Sequence, residues 1–318
     1  MQNKFEVLGF TDAYGEVQKP PQHQTSTIPW GLNFLDRATG GILKNDVIVI
    51  SAPSGAGKTE LAYNIIASAA KSGHKVAAYC LEAEYQEFEN RTLFRELAKA
   101  YAYAGGKKSI CYLDWRLGKL PELDKLKPDV LPNMQYLKNI KTFYRKGSFD
   151  ATDLSRSIAA LHGEVSLCLL DHLDFLDGDD RSENQQKTEI MMKIRDLGLI
   201  QNLATICVAH MKKLSRGEQI LVGDMSDIMG SSNITKIATK VITLGADGLD
   251  EETGFPQTVM RLAKFRMSGD RTHLLARVVF NTTTNSYEEE FEYGKLSPDQ
   301  KAFIPIRDPK KLPTWLKE

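Results

Sequence analysis

The stretch Ala52-Pro53-Ser54-Gly55-Ala56-Gly57-Lys58-Thr59 offers the densest chemistry in the chain. It follows a β-rich run and opens a helical one. Glycines in that context let successive backbone N–H groups turn toward one anion, and the start of a helix adds partial positive charge at the same point. Lys58 is placed to reach the outer phosphates of a nucleotide, and the Thr59 hydroxyl to bind Mg²⁺. Ala52 stands where the pattern usually begins with glycine. Two acids extend this site. Asp171 ends the apolar run VSLCLLD, and ligands of parallel sheets bind outside such carboxyl-terminal strand ends. It is expected to hold Mg²⁺, through water. Glu82 ends KVAAYCLE, the first strand after the phosphate-loop helix, from which a carboxylate can orient and deprotonate an attacking water. Glu84 is its near competitor, and an acid at a helix start is the plainer explanation of either.

These residues need a scaffold that brings separate strand ends together. Short β-rich runs are expected at 46–51, 76–81, 140–145, 165–171, 204–210, 240–244, 258–264 and 274–280, with helices at 58–72, 84–104, 153–162 and 185–202. Strands alternating with helices predict an α/β fold with a mainly parallel twisted sheet flanked by helices. VSLCLLD and ATICVAH are apolar throughout, as strands buried on both faces are. After residue 240 the runs succeed one another without long helices, which predicts antiparallel hairpins. Residues 1–24 read as a polar arm, 25–290 as the core and 291–318 as a tail. Residues 105–139, with GGKK and several prolines, read as an irregular insertion.

Composition excludes several classes. Lys plus Arg and Asp plus Glu both total 41, for zero formal net charge, so the surface as a whole is not built to coat a polyanion. A local basic loop stays open, and so does a neutral scaffold. Cys80, Cys111, Cys168 and Cys207 are scattered without a paired spacing, which implies neither a disulfide framework nor a zinc site. The first residues have neither a signal-peptide apolar stretch nor a basic, acid-free character, and no apolar run approaches a membrane span. A soluble, cytoplasmic protein is expected.

Together these segments resemble the RecA-like ATPase core of ring-shaped replicative DNA helicases, the DnaB and Twinkle class with its phage members. The resemblance runs from about Thr25 to Tyr287. PWGLNFLDRATGGI is similar to the family's stretch before its first core strand. Leu81-Glu82 looks like its catalytic glutamate, and Arg91 falls where members carry an arginine near the nucleotide. LLDHLDFL resembles the Asp-His form of the second magnesium motif, and RSENQQ the text that follows it in DnaB-like members. CVAHMKK is similar to the strand whose final histidine, here His210, senses the γ-phosphate and leads into a DNA-binding loop, here with Lys212, Lys213 and Arg216. Lys264-Phe265-Arg266 resembles the Lys-x-Arg that enters the neighbouring subunit's ATP site. The chain departs from the pattern in DIMGSSNI, where Met229 and Ser232 replace residues of an Arg-Gly-Ser-Gly sequence. A 24-residue arm alone is expected ahead of the core, where the family usually carries a further domain.

The resemblance implies a P-loop ATPase using ATP and Mg²⁺, acting on single-stranded DNA as a homo-oligomer, a hexamer, alongside a separate primase or loader. Plainer roles stand beside each residue. His210 could be a polar strand cap, Lys212, Lys213 and Arg216 a solvated hairpin, and Lys264 and Arg266 edge-strand gatekeepers. His162, His172 and His273 lack metal-ligand spacing and read as structural. Tyr101, Tyr103 and Trp115 read as core packing rather than stacking surfaces. Two other functions compete: a recombination or regulatory ATPase of the RecA or KaiC type, and a nucleotide-dependent clamp that hardly turns over. Glu82 and Arg266 speak against the clamp, which needs neither.

Overall fold

The computed structural model describes residues 27–106, 110–161, 163–176, 183–212, 220–284 and 286–317. The arm expected at 1–24 lies outside them, as do Lys213, Arg216 and His162.

A mixed sheet runs through the middle. Its parallel half has the order β3 (Ile140–Tyr144), β2 (Val76–Cys80), β4 (Leu167–Asp171), β5 (Ala204–His210), β1 (Val47–Ala52) and β6 (Lys240–Leu249). From β6 the sheet turns antiparallel through β7 (Pro256–Phe265), β8 (Leu275–Asn281), β10 (Glu292–Leu296) and β11 (Phe303–Pro305), with β9 (Ser286–Tyr287) paired to β8. Every strand expected from the sequence is present. The strands β1, β2 and β4 are buried along their whole length, which is why their residues read as unbroken apolar runs instead of alternating. Residues 292–305, read as part of a tail, instead extend this sheet.

Six helices matter for the site. They are α1 (Asn33–Thr39), α2 (Lys58–Lys71), α3 (Glu87–Tyr103), α4 (Ala151–Ala159), α5 (Glu183–Gln201) and α6 (Ser231–Ile237). α4 begins earlier than expected because Asp150 caps it, its carboxylate accepting from the Thr152 and Asp153 amides. α1 is held by distant partners: Arg37 donates to the Leu316 carbonyl at 3.0 Å and Arg271 to the Ala38 carbonyl at 2.9 Å. Phe34, fully buried, meets Phe291 and Tyr293 with ring centroids 6.3 and 6.1 Å apart.

The segment expected to be an irregular insertion is helical. Short helices at Tyr112–Arg116, Pro121–Asp124 and Lys127–Val130 lead into a 3-10 stretch, Leu131–Asn139. Pro121, Pro128 and Pro132 sit in first turns, where a missing N–H costs nothing. Four- or five-residue helices are too short to show a 3.6-residue period, so their prolines read as breakers. Ile110, Leu123, Val130 and Met134 pack against Phe94 and Leu97 of α3 as a separate small core. Trp115 joins it, 5.9 Å from the Phe94 ring. Tyr103 does not; it is 91% exposed, contrary to the packing expected of it.

Candidate nucleotide site

Register decides which side chains meet. Ala52 pairs with His210 across β1 and β5, and Cys80 with Asp171 across β2 and β4. The strand ends leading to Lys58, Glu82, Asp171 and His210 therefore share the carboxyl-terminal edge of the parallel half. Between β1 and α2 the chain turns through Gly55 (φ 81°) and Gly57 (φ 85°), conformations that a Cβ would strain. Lys58, buried, opens α2. Pro53, Ser54 and Gly55 are exposed, so the loop presents its backbone to the outside.

A cleft of about 410 Å³ opens here, lined by Gly55, Lys58, Thr59, Glu82, Arg91 and Asp171. Thr59 donates to Asp171 at 3.4 Å. Burial pushes the Asp171 carboxyl up to about 6, against the pull of His172, the Thr59 hydroxyl and Lys58. A hydroxyl and a carboxylate, both hard oxygen donors, form the kind of set that Mg²⁺ takes. A dication there would offset the cost of holding that carboxylate charged, so the residues fit the ion.

Arg91 reaches the cleft from α3. It donates to Glu87 at 2.7 Å, lies 3.7 Å from Glu60, and rests over the Tyr112 ring at 5.1 Å. The helical insertion thus touches the site through Tyr112, a contact that no local pattern foretells. A second cavity of about 330 Å³ adjoins the phosphate loop, with Gly55, Gly57, Arg91, Gly248, Phe280 and Tyr287 among its walls. Phe280 and Tyr287 meet edge to face at 5.0 Å. This more apolar space beside the phosphate cradle suits a planar base. The aromatic pair was missed because β9 is only two residues long.

His172 was also missed. Set aside for lacking metal-ligand spacing, it lies 1% exposed at the centre of the strand-end cluster. Its Nε2 is 3.0 Å from the Glu82 carboxylate and 3.0 Å from Nε2 of His210. Burial, with the charges of His172 and Lys58, holds the His210 ring below the usual imidazole value.

Lys264 and Arg266 are elsewhere. Lys240 of β6 pairs with Ile48 of β1 on one side and with Phe265 of β7 on the other. Arg266, whose amide donates to the Thr239 carbonyl at 2.9 Å, therefore lies at the opposite edge of the sheet from the cleft. At ~3.3 Å of rise per residue, Ile48 to Ala52 alone spans ~13 Å. Arg266 is exposed and borders a cavity of about 290 Å³ with Asp46, Thr239, Leu199 and Met267. Lys264 donates to the Thr235 carbonyl at 2.6 Å at the end of α6. Lys212 is exposed and donates to the Ser226 carbonyl at 2.7 Å. The Met229 amide donates to the His210 carbonyl at 3.0 Å, tying the departing segment back to β5.

The sheet order and the phosphate cradle at its carboxyl-terminal edge define a P-loop nucleotide-binding protein of RecA-like α/β build. Residues 27–289 match the family described as the DnaB-like helicase C terminal domain, and the chain belongs to that family. It is 29% identical over 234 residues to the replicative DNA helicase DnaC of Bacillus subtilis, covering 71% of this chain and 49% of that one. To the replicative DNA helicase DnaB of Geobacillus stearothermophilus it is 26% identical over 280 residues, covering 85% and 59%. The chain thus spans about half to three-fifths of these relatives. Among solved structures, a DnaB-like replicative helicase studied with primase superposes with a TM-score of 0.61 at 17% identity, over 87% of this chain and 66% of that one. The ATPase domain of G40P gives 0.60 at 17% identity, over 88% and 96%. No helix of the described residues is long and apolar enough to cross a membrane.

Proposed function

We propose that the chain is an ATP-hydrolysing motor that moves on single-stranded DNA as a ring, a hexamer of this subunit, in the cytoplasm. Lys58 and the loop from Ala52 to Thr59 bind the phosphates, and Arg91 flanks them. Thr59 and Asp171 hold Mg²⁺, which neutralises charge on the phosphate oxygens when bound. Glu82 orients and deprotonates the attacking water, while His210 reads the outer phosphate. Lys264 and Arg266 act on ATP bound by the neighbouring subunit. Lys212, Lys213 and Arg216 contact the DNA backbone. A separate primase or loader is the expected partner, in keeping with the primase studied beside one structural neighbour.

One observation carries this reading. The cleft and Arg266 lie at opposite edges of a single sheet, so one subunit cannot bring them together. A ring can, and it confines the added positive charge to the transition state, where it accelerates hydrolysis. A clamp that merely retains nucleotide has no use for that arrangement. A RecA- or KaiC-type ATPase shares it, and differs in not unwinding processively.

The test is the ATPase rate with no DNA, with single-stranded DNA and with duplex. Strong stimulation by single strands is expected. A negligible rate in all three favours the clamp, and hydrolysis with stimulation but no strand separation favours the recombination type.

A further inference from the structure

The proposed roles for Glu82 and His210 leave His172 unused, although it touches both. Its Nδ1 lies 3.3 Å from Asp174 Oδ2, and the other Asp174 oxygen meets the buried ammonium of Lys187. Lys187 thus neutralises Asp174 beside the ring, and the Nδ1 contact is a close approach rather than an aligned hydrogen bond. Burial would raise the Asp174 carboxyl, but His172 and Lys187 hold it well below the usual carboxylate range. The cluster of His172, Asp174 and His210 has the composition of a metal site. Its geometry argues otherwise: the two nitrogens of His172 face different partners, and Lys187 already neutralises Asp174.

Among the described residues, Nε2 of His172 has two claimants. Glu82 Oε2 and His210 Nε2 are each 3.0 Å away, and the two imidazole rings stand nearly perpendicular, 80° apart, with centroids 4.2 Å apart. A carboxylate can only accept, so Glu82 is held only when Nε2 carries its hydrogen toward it. One N–H cannot align well with both partners. The Glu82 side chain is half exposed and needs such an anchor to keep one orientation.

We infer that His172 is a positioning residue that links the two ends of the hydrolysis site, an inference that rests on the roles proposed above for Glu82 and His210. When a phosphate draws His210 away, the Nε2–H of His172 goes wholly to Glu82 and fixes its carboxylate toward the water. When the phosphate leaves, His210 returns, the hydrogen is shared, and Glu82 loosens. Sensing the phosphate and aiming the base become one event.

The test is steady-state ATP hydrolysis by the full chain, comparing wild type with His172→Ala, His172→Gln, His210→Ala and the double variant His172→Ala/His210→Ala. His172→Ala should lower kcat roughly tenfold to a hundredfold, the range a misplaced catalytic group costs, with KM for ATP changed by less than about twofold. His172→Gln keeps a donor and should recover part of the loss. The double variant should be no slower than the slower single one, since the two act through one hydrogen bond. Multiplying losses overturn the inference, as does a raised KM at unchanged kcat, or a Gln variant no better than Ala. The thermal shift on adding ATP and Mg²⁺, measured for each variant, separates lost positioning from lost folding. A wild-type chain that hydrolyses no ATP removes the proposed function and this inference with it, whereas an active wild type with multiplying losses removes the inference alone.

Discussion

The two edges of the parallel sheet solve opposite problems. At the amino-terminal edge, Asp46 is buried and closed off. It pairs with Lys240, which is 1% exposed, accepts from the Thr239 hydroxyl at 2.6 Å and from the Leu43 amide at 2.8 Å. Burial draws the Lys240 ammonium below its ordinary value, and Asp46 opposes that shift. Asp46, Lys240 and the Thr239 hydroxyl all find their partners within the subunit. At the carboxyl-terminal edge, Lys58, Glu82, Asp171 and the phosphate loop face a cleft, and their charge calls for something from outside. Stability is concentrated where the network is closed, and ligand chemistry where it is open. Arg266 stands beside this closed network as an exposed cation, touching it only through the bond from its backbone amide to the Thr239 carbonyl.

That contrast can be broken most severely at Arg266. Arg266→Ala should reduce hydrolysis by ~10³–10⁵-fold, the usual worth of such a residue, while thermal stability moves by less than ~0.5 kcal/mol, as for an ordinary surface change. Mixing it before assembly with the equally inactive Glu82→Gln should restore measurable turnover at interfaces that pair intact halves. A sedimenting monomer that hydrolyses at full rate, and loses that rate on Arg266→Ala, would place the arginine in its own subunit's site and end the contrast.

Asp46→Ala should do the reverse. Leaving Lys240 buried without its partner should cost ~3–5 kcal/mol of stability, yet the surviving folded protein should still gain stability from ATP and Mg²⁺. Denaturant unfolding with and without nucleotide measures both, and an effect on nucleotide binding larger than that on folding would contradict the division of labour. At the open edge, Lys58→Ala should abolish the ~2.7 kcal/mol of stabilisation expected at nucleotide a hundredfold above its Kd, and Glu82→Gln should keep it while losing turnover. Normal hydrolysis by Glu82→Gln would remove the base assignment. The smallest effect belongs to the segment after β5. Replacing Lys212 and Lys213 together should flatten the log–log salt dependence of single-strand binding by about one to two units. An unchanged slope would mean a solvated hairpin.

Much of this was legible in the sequence because it is local. A buried strand announces itself by an apolar run, and a polar residue at or just beyond its end is then placed at the sheet edge, as Asp171, His210 and Glu82 are. His172 follows Asp171 directly, but nothing in its own neighbourhood says that it faces Glu82 and His210. That contact depends on the sheet order, which sets β4 between β2 and β5. Lys187 joins through a helix, and Tyr112 through a segment whose short proline-led turns hide their periodicity. The length of the β6–β7 hairpin was underread for a similar reason: beyond Gly245 the β6 residues are largely exposed, so hydrophobicity stops marking the strand before its hydrogen bonds do.

The clasp on α1 carries a consequence for how the chain matures. Seven residues of helix cannot persist alone in water, and the arginine–carbonyl bonds that hold this one join residues 279 and 233 positions apart in the sequence. The phosphate loop follows α1 closely, so its supporting wall is synthesised long before the residues that complete it. At ~5–20 residues per second, the ribosome leaves Phe34 without Phe291 and Tyr293 for roughly 13–51 seconds. Such long-range closure is slow by topology as well. The nascent chain therefore passes through a stage in which most parallel strands can pair while a large aromatic seat beside them stands open, and during that interval it is most exposed to chaperones and to aggregation.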